Sequence, residues 1–319
     1  MTIVPATGAT LDRILDDSFP VWGEGLTRDA YGKWNAAQRQ TFWGREHLDR
    51  IALVEGDRVR SSLKRYRFGA RLDGRAVSVL GIGAVLTPPE ARGQGHAARL
   101  IEQVLADETA RGTGAALLFS EIGAAYYARL GFVTVPLSTL TIGVNVKCGG
   151  SPAMLVRAGD DSDLPSIAEM GRLRAAGARF ALDRDVHLIR FQMARRRLLA
   201  GLGPPGLRQL EFHVAEEGHQ AVAYVVLSVE GRGWTIEECG DRDPTGARVG
   251  AMLQVLLARE SSHAHPVIEG WLPDGFLPPQ LSIVARAPAA APMMIRPLAA
   301  TIDPPLASAD VAYWHADAF

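Results

Sequence analysis

Cysteine is nearly absent from this chain: Cys148 and Cys239 are the only two in 319 residues, and they lie in different halves. A structural disulfide is not expected, which suits a reducing compartment. Long apolar runs are missing as well. No uninterrupted stretch approaches the roughly 20 residues that span a bilayer. The N-terminus lacks a basic segment and carries Asp12, Asp16 and Asp17 early, so no signal peptide is expected. Charge of one sign is also lacking. The 34 Lys and Arg side chains against 35 Asp and Glu leave a formal net charge of −1, which argues against an obligate nucleic-acid partner. His213, His219, His263 and His265 sit in the second half with Cys239, but their spacing follows no zinc pattern, so no metal is expected. The exclusions leave a soluble, cytoplasmic protein with neither membrane nor nucleic acid as partner. They leave self-association open.

What is present is an ordinary globular composition, 47% hydrophobic and 22% charged, and a length that suits two domains. Residues 77–132 organise the chain. The stretch 77–86 is a continuous apolar run bounded by Pro88 and Pro89, as a strand buried on both faces requires. Arg92, Gly93, Gln94, Gly95, His96 and Ala97 follow without a bulky apolar side chain. Ala97, Leu100, Ile101, Val104 and Leu105 then recur at helical spacing. A strand, a glycine loop and a helix start present free N–H groups at the positive end of a helix dipole, a site for phosphate. A Walker loop would need Gly-Lys followed by Ser or Thr, and a dinucleotide loop would need a third Gly and an acid on the next strand. Neither is here.

The pattern Arg92-x-x-Gly95-x-Ala97 after a strand and a proline turn resembles the acetyl-CoA pyrophosphate loop of the GNAT-superfamily N-acetyltransferases. Tyr127-x-x-Leu130-Gly131-Phe132, one helix and strand later, is similar to a second mark of that family. The resemblance implies acetyl-CoA as cofactor. It implies a pyrophosphate held by the amides of residues 92–97, with His96 as a surface residue close to the cofactor. It also implies a pantetheine arm along Ala84, Val85 and Leu86, and Tyr127 near the sulfur.

Around this stretch, residues 8–17 read as a short amphipathic helix, and residues 18–31, with Trp22 and Glu24, read as loop. In the family this region borders the acceptor pocket, so Trp22 and Glu24 are candidate substrate-binding residues, as is Glu121. Trp34 and Trp43 fit a core-capping role. Residues 51–54 and 62–71 suit antiparallel strands, and Asp73-Gly74 suits a hairpin turn. A helix is expected from Ser120 with Glu121 in its first turn, and a pair of strands after Phe132 would complete the sheet near Val146. Residues 147–152 read as a linker. From Leu155 the order of elements repeats, but the loop 240–246 carries Asp241, Asp243 and Pro244, which repel a pyrophosphate and remove a donor. Residues 293–295 read as an edge strand, and the aromatic-rich end as docked.

The expected fold is thus α/β (α+β), two tandem GNAT folds, each a mixed, mostly antiparallel sheet flanked by helices. Residues 1–146 would be the catalytic domain, 153–286 a degenerate copy, and 287–319 a segment docking back toward the active site. Two such halves resemble the fungal free-lysine N6-acetyltransferases, through Ser120-Glu121-Ile122-Gly123 and Tyr127. They resemble more distantly the enhanced-intracellular-survival type, which uses a tyrosine as acid and its C-terminal carboxylate as base. The expected activity is acetyl transfer to a primary amine of a small molecule, with lysine as first guess. An aminoglycoside, a polyamine or a protein amine is the alternative, and a non-catalytic CoA-binding or scaffold protein is the reading from another class. Tyr127 is the expected acid, because a phenol with a pKa of about 10 can protonate a leaving thiolate. Two bases stay open: Glu121 acting through a water, and the α-carboxylate of Phe319.

Overall fold

The computed structural model describes residues 1–146, 154–260 and 265–319. The expected linker at 147–152, Cys148 and His263 lie outside the described residues. The chain divides into two compact units. The first is Met1–Pro136 with Ala291–Leu306 and Phe319, and the second is Leu137–Ala290 with Ala307–Ala318.

The first unit opens with β1 (Thr2–Pro5) and three helices, α1 (Gly8–Trp22), α2 (Arg28–Gln40) and α3 (Phe42–His47). Ile14, Leu15 and Ser18 form the buried face of α1. This helix runs through Pro20 to Trp22, where the sequence suggested a loop from residue 18. A proline in the last turn removes one backbone bond without ending the helix there. The Thr27 hydroxyl caps α2 by accepting Ala30 N–H at 3.2 Å, and Thr41 caps α3 by accepting Gly44 N–H at 2.9 Å. Strands β2 (Leu48–Glu55), β3 (Arg58–Leu72) and β4 (Arg75–Leu86) follow. Asp73 and Gly74 join β3 to β4 with φ of 49° and 76°, the left-handed pair that a type I′ hairpin needs. Then come α4 (His96–Ala110), β5 (Ala115–Phe119), α5 (Ala124–Ala128) and the short β6 (Val133–Thr134). The apolar stripe of α4, Leu100, Ile101, Val104 and Leu105, packs on Ile51, Leu53, Leu63, Leu80 and Ile82 from the sheet.

The chain continues with β7 (Ser138–Val144), β8 (Leu155–Ala158), α6 (Leu164–Ala175), β9 (Phe180–Leu182), α7 (Val186–Leu202) and β10 (Arg208–Glu217). It then forms β11 (Gln220–Glu230), β12 (Gly233–Asp241), α8 (Ala247–Leu257), β13 (Val267–Gly270), β14 (Leu281–Pro288), β15 (Met293–Pro297) and β16 (Val311–Ala312). The first sheet orders its strands β1-β2-β3-β4-β5-β15-β6 and the second β14-β7-β13-β12-β11-β10-β8. Each has one parallel pair along this path, β4 with β5 and β12 with β13. In each, a helix joins the parallel pair. These are two mixed α/β sheets flanked by helices, the second repeating the plan of the first.

Two strands sit elsewhere than the sequence suggests. The strand expected to complete the first sheet before Val146 is β7, and it pairs with β13 and β14 in the second. Its alternation buries Leu140 and Ile142 but carries no mark of which sheet receives them. In its place β15 lies between β5 and β6, so the expected edge strand is interior. Met293, Met294 and Ile295 are all buried, as a strand covered on both faces requires. Most of the segment 287–319 is therefore divided between the two units.

In the second unit β12 pairs with β13 only as far as Ile236 and Gly270, and the chain's own groups fill the opening beyond. Glu238 accepts from Tyr224 Oη at 2.6 Å and is bridged by Arg184, which also reaches Asp317 at 3.2 Å. Glu237 meets Arg196 at 2.8 Å, His315 at 2.9 Å and Ser228 at 2.6 Å. Burial alone would raise the Glu237 carboxyl, but Arg196 and His315 hold it well below the usual carboxylate range. A depressed carboxylate pKa contributes stability that is complete above its unfolded value and is lost as pH falls. Glu237→Gln should therefore cost about 3–5 kcal/mol at neutral pH. That difference should narrow by about 1.4 kcal/mol per unit below a pH of about 4. Urea unfolding of both proteins from pH 7 to 3 measures this, and a gap that stays constant with pH would refute it.

Candidate functional site

In the first unit β4 and β5 run side by side from the pair Val79–Ala115 to the pair Ile82–Leu118 and then part. Strand β4 continues alone on that side. Between its pairings Gly83–Lys64 and Leu86–Ser62 it carries one residue more than β3, a bulge, and Ala84 there has a φ of 46°. A bulge bends a strand and re-aims its backbone groups. Ala84 and Val85 are half-buried on this opening, while Leu86 is buried and its carbonyl accepts Ser61 Oγ at 3.0 Å.

The loop at residues 92–95 leads into α4. Gly93 and Gly95 have φ of 74° and 75°, and a Cβ on either would meet nothing within 4 Å. The left-handed backbone, not crowding, asks for glycine at both. No side chain caps α4, so the N–H groups of its first turn are left for a ligand. Arg92 Nε is bonded to Thr87 O at 3.2 Å, which fixes the approach to the loop. His96, expected at the surface, is 6% exposed. As the first residue of α4 its ring turns inward, with Nε2 3.2 Å from Gln94 Oε1. Ala97 is half-buried beside it.

The helix expected from Ser120 begins at Ala124 instead. Ser120 Oγ donates to the carbonyl of Gly123 at 2.6 Å, and Gly123 has a φ of 80°. This turn holds Glu121 exposed before α5, so its charge is not part of the helix start. Trp22 Nε1, at the end of α1, donates to Glu121 Oε2 at 2.9 Å, uniting two of the sequence candidates. Glu24 lies in the turn after α1, exposed and with a φ of 53°. Tyr127 is buried in α5, edge-on to Tyr126 and Phe132. Its hydroxyl makes no hydrogen bond among the described residues. Burial, with Tyr126 and Glu121 adding to it, pushes the Tyr127 phenol up to about 12, so it holds its proton across the neutral range.

Phe319 also lies in the first unit. The Phe319 ring packs against Tyr66, Phe68 and Phe119 with centroids 4.5, 5.4 and 5.3 Å away. A Cβ on Gly81 would stand 2.6 Å from the ring, and one on Gly83 would stand 3.4 Å from the Phe319 carbonyl-position oxygen. Two glycines on one face of β4 thus make the floor on which the chain terminus lies, next to the bulge.

Residues 23–135 match a family model described as an acetyltransferase (GNAT) domain. The whole chain also resembles solved structures at low identity. A probable N-acyltransferase from Enterococcus faecalis V583 superposes with a TM-score of 0.68 at 14% identity, over 93% of this chain and 72% of that one. Eis1 from Mycobacterium abscessus gives 0.59 at 16% identity, over 93% and 74%. A tandem GNAT protein from the clavulanic acid biosynthesis pathway gives 0.54 at 13% identity, over 95% and 99%. At these identities the likeness shows the fold alone, and one of the three folds is a tandem GNAT. Curated protein sequences give no match.

The second GNAT-like unit handles its equivalent loop differently. Asp241 accepts the N–H groups of Asp243 at 2.8 Å and Arg248 at 2.9 Å, and Asp243 accepts that of Thr245 at 2.9 Å. The Thr245 hydroxyl accepts Ala247 N–H at 3.3 Å. Carboxylates of the chain itself take the amides that are free in the first unit, which makes this copy degenerate. Among the described residues no helix is long and apolar enough to cross a membrane.

Sequence reasoning missed Gly81, Gly83, Tyr66 and Phe119 as the seat of the terminus. The available signal was Gly81-x-Gly83 inside an otherwise apolar strand, a mark of close approach by another group. Gly81→Ala should cost about 1–3 kcal/mol by overpacking. Deleting Phe319 should relieve part of that cost, leaving the contact with Phe68. A double-mutant cycle by thermal unfolding measures the coupling, and strict additivity would place the ring elsewhere in solution.

Proposed function

We propose that the chain is an acetyl-CoA-dependent N-acetyltransferase acting on a primary amine of a small molecule, with a free amino acid such as lysine foremost. The observation that carries this reading is the opening between β4 and β5. In the same unit it has an uncapped α4 N-terminus and a buried, proton-retaining Tyr127. Ala84 and Val85 offer backbone groups to a pantetheine arm, and the amides of residues 93–97 offer donors to a pyrophosphate. Bound there, acetyl-CoA supplies an activated thioester carbonyl.

The remaining chemistry belongs to this chain. A lysine-like amine with a pKa of about 10.4 must lose a proton before it can attack. Tyr127 is the general acid, since a phenol held near 12 is protonated wherever the amine is free to react. Two groups compete as base. Glu121 is exposed and would act through a water. The Phe319 carboxylate lies over Gly83 beside the bulge, and the survival-type resemblance favours it. Lysine as acceptor rests on the likeness of residues 120–127 to the fungal enzymes, and aminoglycosides, polyamines and protein amines remain in the test. Against a silent CoA-binding protein stand the intact loop and the tyrosine in register.

Thiol release from acetyl-CoA over a panel of amines, amino acids and aminoglycosides decides between catalysis and binding alone. Release with none, despite measurable CoA binding, would favour the binding protein. With the best acceptor, Tyr127→Phe should lower kcat by about 10²–10⁴ while the KM for acetyl-CoA stays within a few-fold. For wild type, kcat/KM should rise with pH as the amine deprotonates and show no alkaline fall below a pH of about 10.5, given the Tyr127 phenol near 12. An unchanged kcat in Tyr127→Phe would move the acid elsewhere. Removal of Phe319, or a C-terminal tag, should abolish turnover and spare acetyl-CoA binding. A fully active tagged protein would assign the base to Glu121.

A further inference from the structure

On the helix-covered face of the first sheet lies a cavity of about 340 Å³, lined among others by Asn35, Arg39, Arg45, Arg50 and Lys64. Cavities of this size hold small molecules. Four basic side chains and one acid, Asp49, stand in its lining, in a chain whose overall charge is near zero. Arg50, on β2, is 6% exposed. Its Nη2 donates to Asn35 Oδ1 at 3.3 Å, and its buried Nη1 has no hydrogen-bond partner. Among the described residues no carboxylate forms an ion pair with it, and the groups that act on it are Tyr31, which also hydrogen-bonds it, Tyr66 and Arg39. The nearest acid in sequence, Asp49, is committed to Arg65 and Arg67. A buried guanidinium with an unmade hydrogen bond and no counter-charge costs several kcal/mol in the free protein. An anion entering the cavity would remove that cost.

The register relates this cavity to the reacting end. Arg50 pairs with Lys64, and Lys64 pairs with Gly83. The three residues form one row across β2, β3 and β4, and paired residues share a face. Gly83 is where the Phe319 carboxyl lies. Two strand spacings separate the ends of the row, roughly 10 Å.

We propose that Arg50 binds the carboxylate of an acceptor that carries both a carboxylate and a primary amine, the amine reaching toward Gly83. This rests on the acetyltransferase reading and deepens it. The span suits an amine remote from the carboxylate, as on an amino-acid side chain, better than an α-amine. A guanidinium meets a carboxylate through two parallel N–H···O bonds, and Nη1 is the Arg50 nitrogen that is buried without a partner among the described residues. Arg39, exposed on α2, adds positive charge at the rim.

Thermal shift provides a readout independent of turnover. Each of the twenty amino acids and its carboxamide is titrated against the full-length wild type, Arg50→Met, Arg50→Lys and Arg39→Gln. At least one amino acid should stabilise wild type saturably while its carboxamide does not. Arg50→Met should weaken that binding about 10- to 100-fold, the loss of a charge-assisted pair, and Arg39→Gln about threefold. Arg50→Met removes an uncompensated buried charge, so the variant should fold. If it does not, Arg39→Gln and Arg50→Lys carry the test, and unchanged binding in both would overturn the proposal. No saturable stabilisation by any amino acid, or equal stabilisation by acid and carboxamide, would overturn it too. If thiol release succeeds only with amines lacking a carboxylate, the carboxylate site fails and the acetyltransferase reading stands. If release fails with every amine while carboxylate binding persists, the acetyltransferase reading fails and the anion site stands.

Discussion

The parting of β4 from β5 past Ile82 and Leu118 is the constraint on which the rest of the first unit depends. Parallel strands that separate leave backbone donors and acceptors without partners, and such groups must be met by something. Here the bulge at Ala84 turns part of β4 back to β3, and Ser61 takes the Leu86 carbonyl. The remainder faces an opening. Several candidate residues are arranged around that gap: the 92–97 loop after β4, Tyr127 in the helix after β5, and Phe319 on the glycines just before the bulge. An extended ligand with amide groups, such as a pantetheine arm, is the natural partner for a strand edge of this length.

The second unit makes the same opening and resolves it without a ligand. Past Ile236 and Gly270 the space is taken by Glu237, Glu238, Arg184 and Asp317, and the adjoining loop satisfies its own amides with Asp241 and Asp243. A buried carboxylate is costly unless paired, so this arrangement is stable only with its arginines in place. It pins the 315–317 segment against β12. One fold thus appears once with its donors available and once with them occupied. The difference comes from a few acidic side chains, not from topology.

The sequence made the organising stretch legible because its signals are local: an apolar run between prolines, a glycine loop and a 3.6-residue stripe. The Asp73-Gly74 hairpin and the repeated order of elements were legible for the same reason. The assignment of β7 and β15 to sheets was not, because alternation records which face is buried and says nothing about which neighbour buries it. The start of α5 was misplaced since Ser120 bonds the carbonyl of Gly123, an outcome that local propensity does not separate from a cap. His96 looked exposed because glycines surround it, yet a helix's first residue can turn inward. Arg50 drew no attention, since an arginine in a strand reads as a solvated charge until burial is known.

Burial of Arg50 matters because it runs against the stability of the free fold. A surface arginine costs little to keep, whereas one that is 6% exposed and has no ion pair among the described residues weakens the fold that carries it. An apolar residue at that place on β2 would carry no buried charge, though it would leave Asn35 Oδ1 without the Arg50 donor. Strain of this kind persists where it is relieved by something the folded chain alone does not contain. The Tyr127 phenol is the counterpart at the other end of the unit, buried without a hydrogen bond of its own. Of the two, Arg50 is the one with a buried donor atom that lacks a partner among the described residues.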